Sequence, residues 1–382
     1  MNKFKITLGI IWGILLSMQL PAQNFDNLHF GTDYTLDVIT WNTEWFPANG
    51  QTTVSYVSEI VESLDAEIIA FQEIDSKPQF QNLINSLDNY NGYYISNDQY
   101  QSLAYLYHKD KIEILDQYEI FPNDWSEFPR SPLILEFQFE GKKYVIINNH
   151  LKCCGDGVLE SWNSDDEEGR RYWACKKLDS YIEDHFDNDR VILLGDLNDE
   201  LTDRDQDNVF STFLNDQTSY LFTDIAIAEG GSGSWSYPTW PSHLDHIMIT
   251  NELFGLFNEA ASVCEIIKLD HYFSSWNAYE NNVSDHRPVG LKLQTKEIGL
   301  DEIAENNISV SPNPFMGSFE VITGGKNVDF FKIFNHSGIL ISESSVKGEK
   351  LIIDSSDWSS GLYFIQFFSN QKAVSSQKFL KL

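Results

Sequence analysis

Five short segments, each an apolar run that ends in polar residues, constrain the fold of this 382-residue chain more than any other feature. In chain order they read TWNTEWF (40–46), FQEI (71–74), NNHLKCC (148–154), LGDLND (194–199) and SDHRPV (284–289). Each apolar run is typical of a buried β-strand, and each delivers an Asn, Glu, His or Asp at its end. We therefore expect β-sheets in which these polar side chains meet at one edge.

Strand-like and helical patterns alternate between residues 34 and 294. Apolar residues at helical spacing indicate a helix over 54–64, directly before a strand-like run at 68–71. Further strands are predicted at 103–107, 112–118, 132–139, 143–148 and 191–194, and a further helix at 168–184. Many strands with interspersed helices predict an α/β fold, a four-layer α/β sandwich in which two packed mixed β-sheets are flanked by helices.

The two ends of the chain differ from this central part. Residues 1–22 read as a secretory signal peptide, with Lys3 and Lys5 before an apolar run that Ser17 and Gln19 interrupt. That run is shorter than the roughly 20 apolar residues of a membrane anchor, so we expect no stable membrane insertion. After the predicted catalytic domain (23–294), a polar linker (295–307) leads to a small all-β sandwich domain, residues 308–382.

Charge and cysteine content narrow the function further. The chain has 26 Lys and Arg against 57 Asp and Glu, a net charge of −31, which opposes non-specific affinity for polyanions. A local basic rim and a bound cation can offset this field, and Arg130 and Lys152 are the candidates for such a rim.

Four cysteines in an exported chain favour disulfides over a zinc site. We expect Cys175 to bond Cys153 or Cys154, since a bond between the adjacent pair would be strained.

The residue types at the strand ends share a chemistry. Asn, Glu and Asp offer hard oxygen ligands that suit Mg²⁺ or Ca²⁺, and two His offer proton transfer. Glu73 is the first candidate ligand, because a carboxylate that leaves a buried strand must be paired or coordinated. Asp196 and Asn198 are alternate residues after a strand and are expected to face the same way. The set fits metal-assisted cleavage of a phosphate ester.

The order and wording of the five segments resemble the endonuclease/exonuclease/phosphatase superfamily, which includes pancreatic-type deoxyribonuclease, exonuclease III, sphingomyelinases and inositol polyphosphate phosphatases. The resemblance covers about residues 36–294 and implies the same four-layer fold. It also implies a divalent cation, Mg²⁺ with Ca²⁺ or Mn²⁺ as alternatives, associated with Asn42, Glu73 and Asp285.

The same resemblance implies roles for the other candidates. Asp196 would orient or deprotonate the attacking water, Asn198 would help hold the phosphate, and Asp245 would hydrogen-bond His286, a proton-transfer group. Arg130 would contact the phosphate, and His150 would be the second imidazole beside it. Pancreatic-type deoxyribonuclease pairs the latter His with an upstream Glu. The best-matching stretch here reads Gln101-Ser102, so His150 needs another partner.

Residues 308–382 resemble the C-terminal sorting domain of the type IX secretion system. SPNPF (311–315), GLYFIQF (361–367) and the terminal Lys381-Leu382 carry this resemblance, which implies transport across the outer membrane by that machinery. An ordinary β-sandwich module for substrate or surface binding is the alternative.

Together these features predict an extracellular, metal-dependent nuclease that cleaves DNA by in-line attack of water, with RNA left open as a substrate. The same machinery acting on sphingomyelin or inositol phosphates is the alternative, and a non-catalytic surface-binding protein is the second one. Trp235, Tyr237 and Trp240 are candidates to stack against a base or contact a lipid, although packing under the next strand is their commoner fate.

Overall fold

Two mixed β-sheets of six strands each form the larger of two units in this computed structural model. The units comprise Met1–Lys296 and Glu297–Leu382. The structure describes residues 25–95, 101–296, 309–323, 328–335, 339–346, 348, 350–369 and 372–382. The predicted signal peptide and most of the predicted linker lie outside the described residues.

Twelve strands of the larger unit are β1 (Thr35–Phe46), β2 (Ile68–Ile74), β3 (Tyr90–Tyr94), β4 (Ser102–His108), β5 (Glu113–Glu119), β6 (Leu133–Phe139), β7 (Lys142–His150), β8 (Arg190–Asp196), β9 (Tyr220–Phe222), β10 (Asp245–Thr250), β11 (Val263–Ile266) and β12 (Val289–Gln294). The first sheet has the order β11-β12-β1-β2-β4-β3, and the second β5-β6-β7-β8-β10-β9. In each sheet two central strands run parallel, β1 beside β2 and β7 beside β8. These four strands carry four of the five sequence segments on which the prediction was based.

The helices of this unit are α1 (Gln51–Leu64), α2 (Lys77–Ser86), α3 (Glu167–Phe186) and the short α4 (Ser211–Leu214), α5 (Ile225–Ala228), α6 (Phe254–Phe257) and α7 (Trp276–Glu280). Single 3₁₀ turns occupy Ser232–Ser234, Asn251–Leu253 and Leu269–Tyr272. The N-terminus of α3 is capped by Asp166, whose carboxylate accepts the Gly169 N–H at 2.6 Å.

Strict alternation along the strands creates the layers. On β1, Leu36 and Val38 face the core between the two sheets, while Ile39 and Trp41 face α1 and α2. Strand β8 alternates in the same way between the inter-sheet core and the core beneath α3. Each sheet is thus buried on both faces, and the predicted four-layer α/β sandwich is confirmed.

The smaller unit is all β, as predicted. Its strands are β13 (Ser309–Ser311), β14 (Ser318–Ile322), β15 (Phe330–Asn335), β16 (Leu340–Ser345), β17 (Lys350–Asp354), β18 (Gly361–Ser369) and β19 (Lys372–Lys381). They form a three-stranded sheet, β13-β14-β17, and a four-stranded sheet, β16-β15-β18-β19. Aromatic side chains, among them Phe319, Phe331 and Phe379, fill the core of this unit.

The cysteine prediction was wrong in its pairing. All four cysteines lie in the described part of the chain, and each is a free thiol. Cys175 lies on the apolar face of α3, buried with Ala174 and Leu178, so its thiol packs in the core. The sulfurs that meet are those of the adjacent pair, with Cys153 Sγ 2.9 Å from Cys154 Sγ.

None of the helices in the described ranges has both the length and the apolar character that crossing a bilayer demands.

Candidate active site

The candidate site lies where the inward-facing rows of both sheets end in polar residues. Asn42 ends the inward row of β1, and Asp196 ends that of β8. His150 and Asp245 lie opposite Asp196 on the two neighbouring strands, β7 and β10. Alternation within strands and pairing between them therefore bring these four side chains together, as the sequence predicted.

Asp196 is the centre of this group. Its Oδ2 accepts a hydrogen bond from Asn42 Nδ2 at 2.9 Å and lies 3.5 Å from Nε2 of His150 and 4.0 Å from Nε2 of His286. The carboxylate is only 2% exposed. Burial, helped by the charge of Asp245, raises the pKa of Asp196 to about 7. A carboxylate with this pKa can hold or accept a proton near neutral pH.

His286 is oriented by Asp245. Its Nδ1 lies 2.7 Å from Asp245 Oδ2, which leaves Nε2 directed towards Asp196. Burial alone would lower the pKa of His286, but the Asp245 carboxylate raises it well above its usual value. The ring of Tyr237 packs over the imidazole at a centroid distance of 4.8 Å. Of the three aromatic residues singled out at 235–240, Tyr237 thus contacts the site directly.

The loop that carries His286 is tied to the first sheet. Ser284 Oγ donates to the Asn42 carbonyl at 2.7 Å and accepts the backbone N–H of His286 at 2.9 Å. Tyr279 Oη donates to the carbonyl of His286 at 2.6 Å. These bonds fix the imidazole relative to β1 and hence relative to Asn42.

Glu73 reaches the site by an unusual backbone conformation. In a regular strand it would lie on the outer face, because its neighbour Gln72 is on the inner one. Glu73 instead adopts a φ of 63°, at a register irregularity of β2. Its carboxylate accepts hydrogen bonds from Asn42 Nδ2 (3.3 Å), Trp45 N (3.1 Å) and Gln101 Nε2 (3.2 Å).

Asp285 and Glu44 add acidic groups on the same side. The backbone N–H of Asp285 donates to Glu44 Oε2 at 3.1 Å. Burial, together with the charges of Asp285 and Glu73, raises the pKa of Glu44 to about 7. Burial also raises the pKa of Asp285. Glu44, two residues after Asn42 in the chain, thus belongs to the acidic cluster.

The donors in this cluster fit a hard divalent cation. Asn42, Glu73 and Asp285 offer only oxygen ligands from their side chains. The raised pKa values of Glu44 and Asp285 indicate crowded carboxylates, whose charged forms a nearby cation would stabilise. Asp196, Asp245 and His286 have ligand atoms that all lie within 4.8 Å of one another. Among the described residues, Glu73 and Asp285 belong to no such group of three acidic or His ligand atoms.

His150 and Arg130 lie close to both Asp196 and Glu73, with His150 Nε2 3.5 Å from Asp196 Oδ2 and 3.8 Å from Glu73 Oε1. Burial and the charges of Arg130 and His286 lower the pKa of His150 well below its usual value, so its ring is neutral. Among the described residues nothing hydrogen-bonds to His150 Nδ1. Gln101 does not replace the missing acidic partner of this His. It bonds Glu73, and its Oε1 accepts from Arg130 Nη2.

Asn198 is close to Asp196 but turns in a different direction. It has a φ of 58°, and its backbone N–H donates to Asp196 Oδ1 at 3.2 Å. Its side-chain amide donates to the carbonyl of Leu151 at 3.3 Å. In this structure Asn198 holds the loop after His150.

Two buried ion-pair groups next to the site were missed from the sequence. Arg171 is 2% exposed and donates from Nε to Asp199 Oδ2 at 2.8 Å. His246 lies with its Nδ1 2.6 Å from Asp224 Oδ2, and both side chains are fully buried. Arg171 was detectable, because it continues the apolar face of α3 with Ala174, Cys175, Leu178 and Ile182. No comparable pattern pointed to Asp224.

Comparison with known families identifies the chain. The model of the Endonuclease/Exonuclease/phosphatase family matches residues 39–286, and the protein belongs to this family. A second family model, the Secretion system C-terminal sorting domain, matches residues 309–381. The protein is therefore a hydrolase of this family that carries a type IX sorting domain, which directs it to the cell surface or the extracellular space.

Solved structures share the fold of the larger unit. TDP2 of D. rerio complexed with a single strand DNA product is 18% identical, with a TM-score of 0.52 over 69% of this chain and 100% of that chain. A D. rerio TDP2 humanized by 14 mutations is 15% identical, with a TM-score of 0.50 over 68% of this chain and 99% of that chain. A mannosyl-6-phosphatase of Bacteroides thetaiotaomicron is 17% identical, with a TM-score of 0.47 over 68% and 99% of the respective chains. A comparison with curated protein sequences finds no match.

Proposed function

We propose that this protein is a secreted, divalent-metal-dependent phosphodiesterase that hydrolyses DNA by in-line attack of water. The observation that carries the proposal is the arrangement of Asp196 between two imidazoles, with His286 oriented by Asp245. A buried carboxylate and two ring nitrogens around one point can position a water molecule and move protons at a phosphate ester.

Asp196 orients the attacking water and accepts its proton. Its raised pKa and its contact with Asn42 Nδ2 support this role, since a base works best when its pKa is close to the ambient pH. His286, kept protonated by Asp245, donates a hydrogen bond to the phosphate and supplies the proton of the leaving oxygen.

The remaining candidates bind the phosphate. His150 is neutral and donates from one ring nitrogen, and Arg130 supplies a guanidinium, the group best suited to a phosphate. Asn198 fixes the loop after His150 and reaches the phosphate oxygens only if its amide leaves the Leu151 carbonyl. His150 is thus proposed as a binding residue, with His286 as the proton donor.

Asn42, Glu73 and Asp285 would hold the cation, which we propose to be Mg²⁺, with Ca²⁺ or Mn²⁺ as alternatives. A cation bound there supplies positive charge to the phosphate oxygens. These residues also have a role that does not depend on the cation. Asn42 bonds both Asp196 and Glu73 and so fixes the base relative to the acidic cluster.

DNA is the substrate we favour within this family. Trp45 and Trp240 are 46% and 78% exposed, and an exposed indole face can stack against a base. Trp45 donates its backbone N–H to Glu73, which places one of them next to the site. The D. rerio TDP2 structure contains a single strand DNA product, which makes DNA the first substrate to test.

The proposed organisation is a signal peptide (1–22), a catalytic domain (23–294), a linker (295–307) and a sorting domain (308–382) read by the type IX machinery. We propose no stable insertion into a membrane.

The deciding experiment is cleavage of a supercoiled plasmid by residues 23–382, with Mg²⁺, Ca²⁺ or EDTA. We expect nicking that requires metal and is lost in Glu73→Ala, with Glu59→Ala, an exposed Glu on α1, as the matched control. If a folded preparation leaves DNA and RNA intact but releases phosphocholine from sphingomyelin or phosphate from inositol phosphates, the substrate proposal is wrong while the site proposal stands. Inactivity on all of these substrates would favour a surface-binding protein.

A further inference from the structure

The adjacent thiols of Cys153 and Cys154 stand out among groups that the proposed mechanism does not use. Their sulfurs are 2.9 Å apart, although the two residues are consecutive in the chain. Cys154 has a φ of 72°, in the left-handed region, and this turn brings its side chain back towards Cys153. The contact follows from the local backbone conformation and is only about 0.9 Å longer than a disulfide bond.

This conformation is held by the rest of the protein. Arg171 Nη1 donates to the carbonyls of Lys152 and Cys154, both at 2.7 Å, and so fixes the backbone on each side of Cys153. Lys152 Nζ donates to the Cys153 carbonyl at 2.8 Å and lies 3.7 Å from Cys153 Sγ. Arg171 is itself buried against Asp199. The backbone that brings the two sulfurs together is therefore held by hydrogen bonds from Lys152 and from the buried Arg171.

The pair is also accessible, unlike the other candidate partner. Cys154 is exposed and Cys153 half-buried, whereas Cys175 is buried in the core. The sorting domain directs the chain out of the cell, where disulfides persist. An oxidant can thus reach Cys154, and the sulfur that lies nearest to complete the bond is that of Cys153.

We propose that Cys153 and Cys154 form a vicinal disulfide in the exported protein and that this bond is a reversible modification site. The Cys154 thiolate attacks one sulfur of a small-molecule disulfide and releases one thiol. The Cys153 thiolate then displaces the second thiol from the mixed disulfide. One S–S bond forms in the protein, one breaks in the oxidant, and the two cysteine protons end on the two departing thiols.

The reversibility has a geometric cause. Consecutive Cα atoms are about 3.8 Å apart, shorter than the roughly 4.4–6.8 Å of ordinary disulfides, so an adjacent pair forms a strained bond. Strained, exposed disulfides are reduced more easily than structural ones. The strain that made this pairing unattractive from the sequence therefore makes it suitable for a redox-responsive site.

The bond lies where it can influence catalysis. Leu151, two residues before Cys153, donates its N–H to the Asp196 carbonyl at 3.0 Å and accepts the Asn198 amide at 3.3 Å. His150 precedes it directly. Oxidation at 153–154 thus acts on the loop that adjoins three proposed site residues.

The test is differential alkylation of residues 23–382 after incubation with oxidised glutathione, read by mass spectrometry. Trypsin is expected to release residues 153–170 as one peptide. We expect N-ethylmaleimide in denaturant to label only Cys175 and Cys264, and the 153–170 peptide to be lighter than the dithiol by two hydrogen atoms. In a separate sample of the oxidised, folded protein, mild reductant followed by N-ethylmaleimide should label Cys153 and Cys154, while the buried Cys175 stays unlabelled.

Two variants make the result specific. Cys175→Ser should keep the modified peptide, and Cys154→Ser should abolish it and leave a thiol at Cys153 that alkylates. Two labels on the 153–170 peptide after oxidation, or a peptide cross-linked to Cys175, would overturn the proposal. The readout is a mass, so it is independent of whether the protein cleaves DNA.

Discussion

Asp245 Oδ2 lies 2.7 Å from His286 Nδ1, and this contact determines which ring nitrogen of the imidazole is available for proton transfer. Asp245 is fully buried and His286 is 5% exposed. With Nδ1 engaged, only Nε2 can face a substrate, and it points towards Asp196. The contact therefore fixes the tautomer, the orientation and the raised pKa of His286 together.

Replacing Asp245 by Asn should disable His286 without removing it. We expect kcat for phosphodiester cleavage to fall about 10²–10⁴-fold, the range for loss of a general acid. His286→Ala should lose a similar factor, and the double variant should be little worse than either one, because the two residues act as a unit. Steady-state kinetics on a chromogenic phosphodiester measure this.

The matched control for that series is Asp205→Asn, an exposed Asp in the loop between β8 and β9. It should retain wild-type kcat. Near-wild-type turnover in folded Asp245→Asn would remove His286 from the role of proton donor.

Asp196→Ala should be equally damaging for a different reason. It removes the proposed base and also the acceptor of the Asn42 amide at 2.9 Å. We expect a loss of about 10²–10⁴ in kcat with the fold retained, as judged by circular dichroism and the melting temperature. Asn42→Asp, which keeps the shape but brings a second carboxylate to Asp196, should fall between wild type and Asp196→Ala. Wild-type turnover in Asp196→Ala would show that another group acts as the base.

Glu73→Gln tests the cation site independently of turnover. The substitution keeps the side-chain size but removes the negative charge, so Mg²⁺ affinity should fall at least about tenfold, the lower end of the loss seen for groups that only support a ligand. Isothermal titration calorimetry with Mg²⁺ measures this directly, with Glu59→Gln as the exposed control. Unchanged Mg²⁺ affinity would place the cation elsewhere.

The fold was predictable because it rests on repetition. Apolar runs in β1, β2, β7 and β8 indicated buried strands, and the polar residues at the strand ends indicated the edge at which these side chains meet. Asn42, His150 and Asp196 therefore lie where the alternation of side chains along their strands predicts them.

Features that depend on single backbone conformations were not predictable. Glu73 and Asn198 both lie in the left-handed region, with φ of 63° and 58°, and neither angle follows from hydrophobic pattern. The first turn brings Glu73 into the site, and the second goes with an Asn198 amide that bonds Leu151. The Cys153–Cys154 contact depends on a turn of the same kind, which is why the expected partner Cys175 was wrong.

Arg171→Met should destabilise the fold strongly. The guanidinium contacts Asp199, Glu168 and two backbone carbonyls, and its removal leaves buried acceptors without a partner. Breaking a buried pair in this way costs about 3–5 kcal/mol, which urea unfolding would detect. Arg170→Met is the matched control. Arg170 donates to the backbone carbonyls of Trp125 and Ser126 in a more exposed position, so its replacement should cost less than about 1 kcal/mol. Equal losses in the two variants would mean that the Arg171 contacts do not stabilise the fold.

The buried pair of His246 and Asp224 should make stability fall as the pH rises above neutrality. His246 Nε2 lies 2.9 Å from the Asp199 carbonyl, which can only accept, so Nδ1 must also carry a proton to bond Asp224. Burial opposes the charge, but the Asp224 carboxylate raises the pKa of His246 above its usual 6.5. In turn, although burial opposes this too, His246 and His243 hold the pKa of Asp224 well below its usual 3.8.

The direction in which each residue's contribution to stability changes with pH follows from the direction of its pKa shift. The His246 contribution is fully present below pH 6.5, the unfolded value, and is lost as the pH rises through the raised folded pKa. The Asp224 contribution is present above pH 3.8 and is lost only as the pH falls through the lowered folded pKa. The pair should therefore stabilise most between these two values. Asp224→Asn should cost about 3–5 kcal/mol there, and the difference from wild type should shrink as the pH rises above that window. Urea unfolding of both proteins from pH 5 to pH 9 measures this difference, with Asp184→Asn, at an exposed position, as the control. A difference that stays constant across the range would show that His246 is neutral in the folded protein.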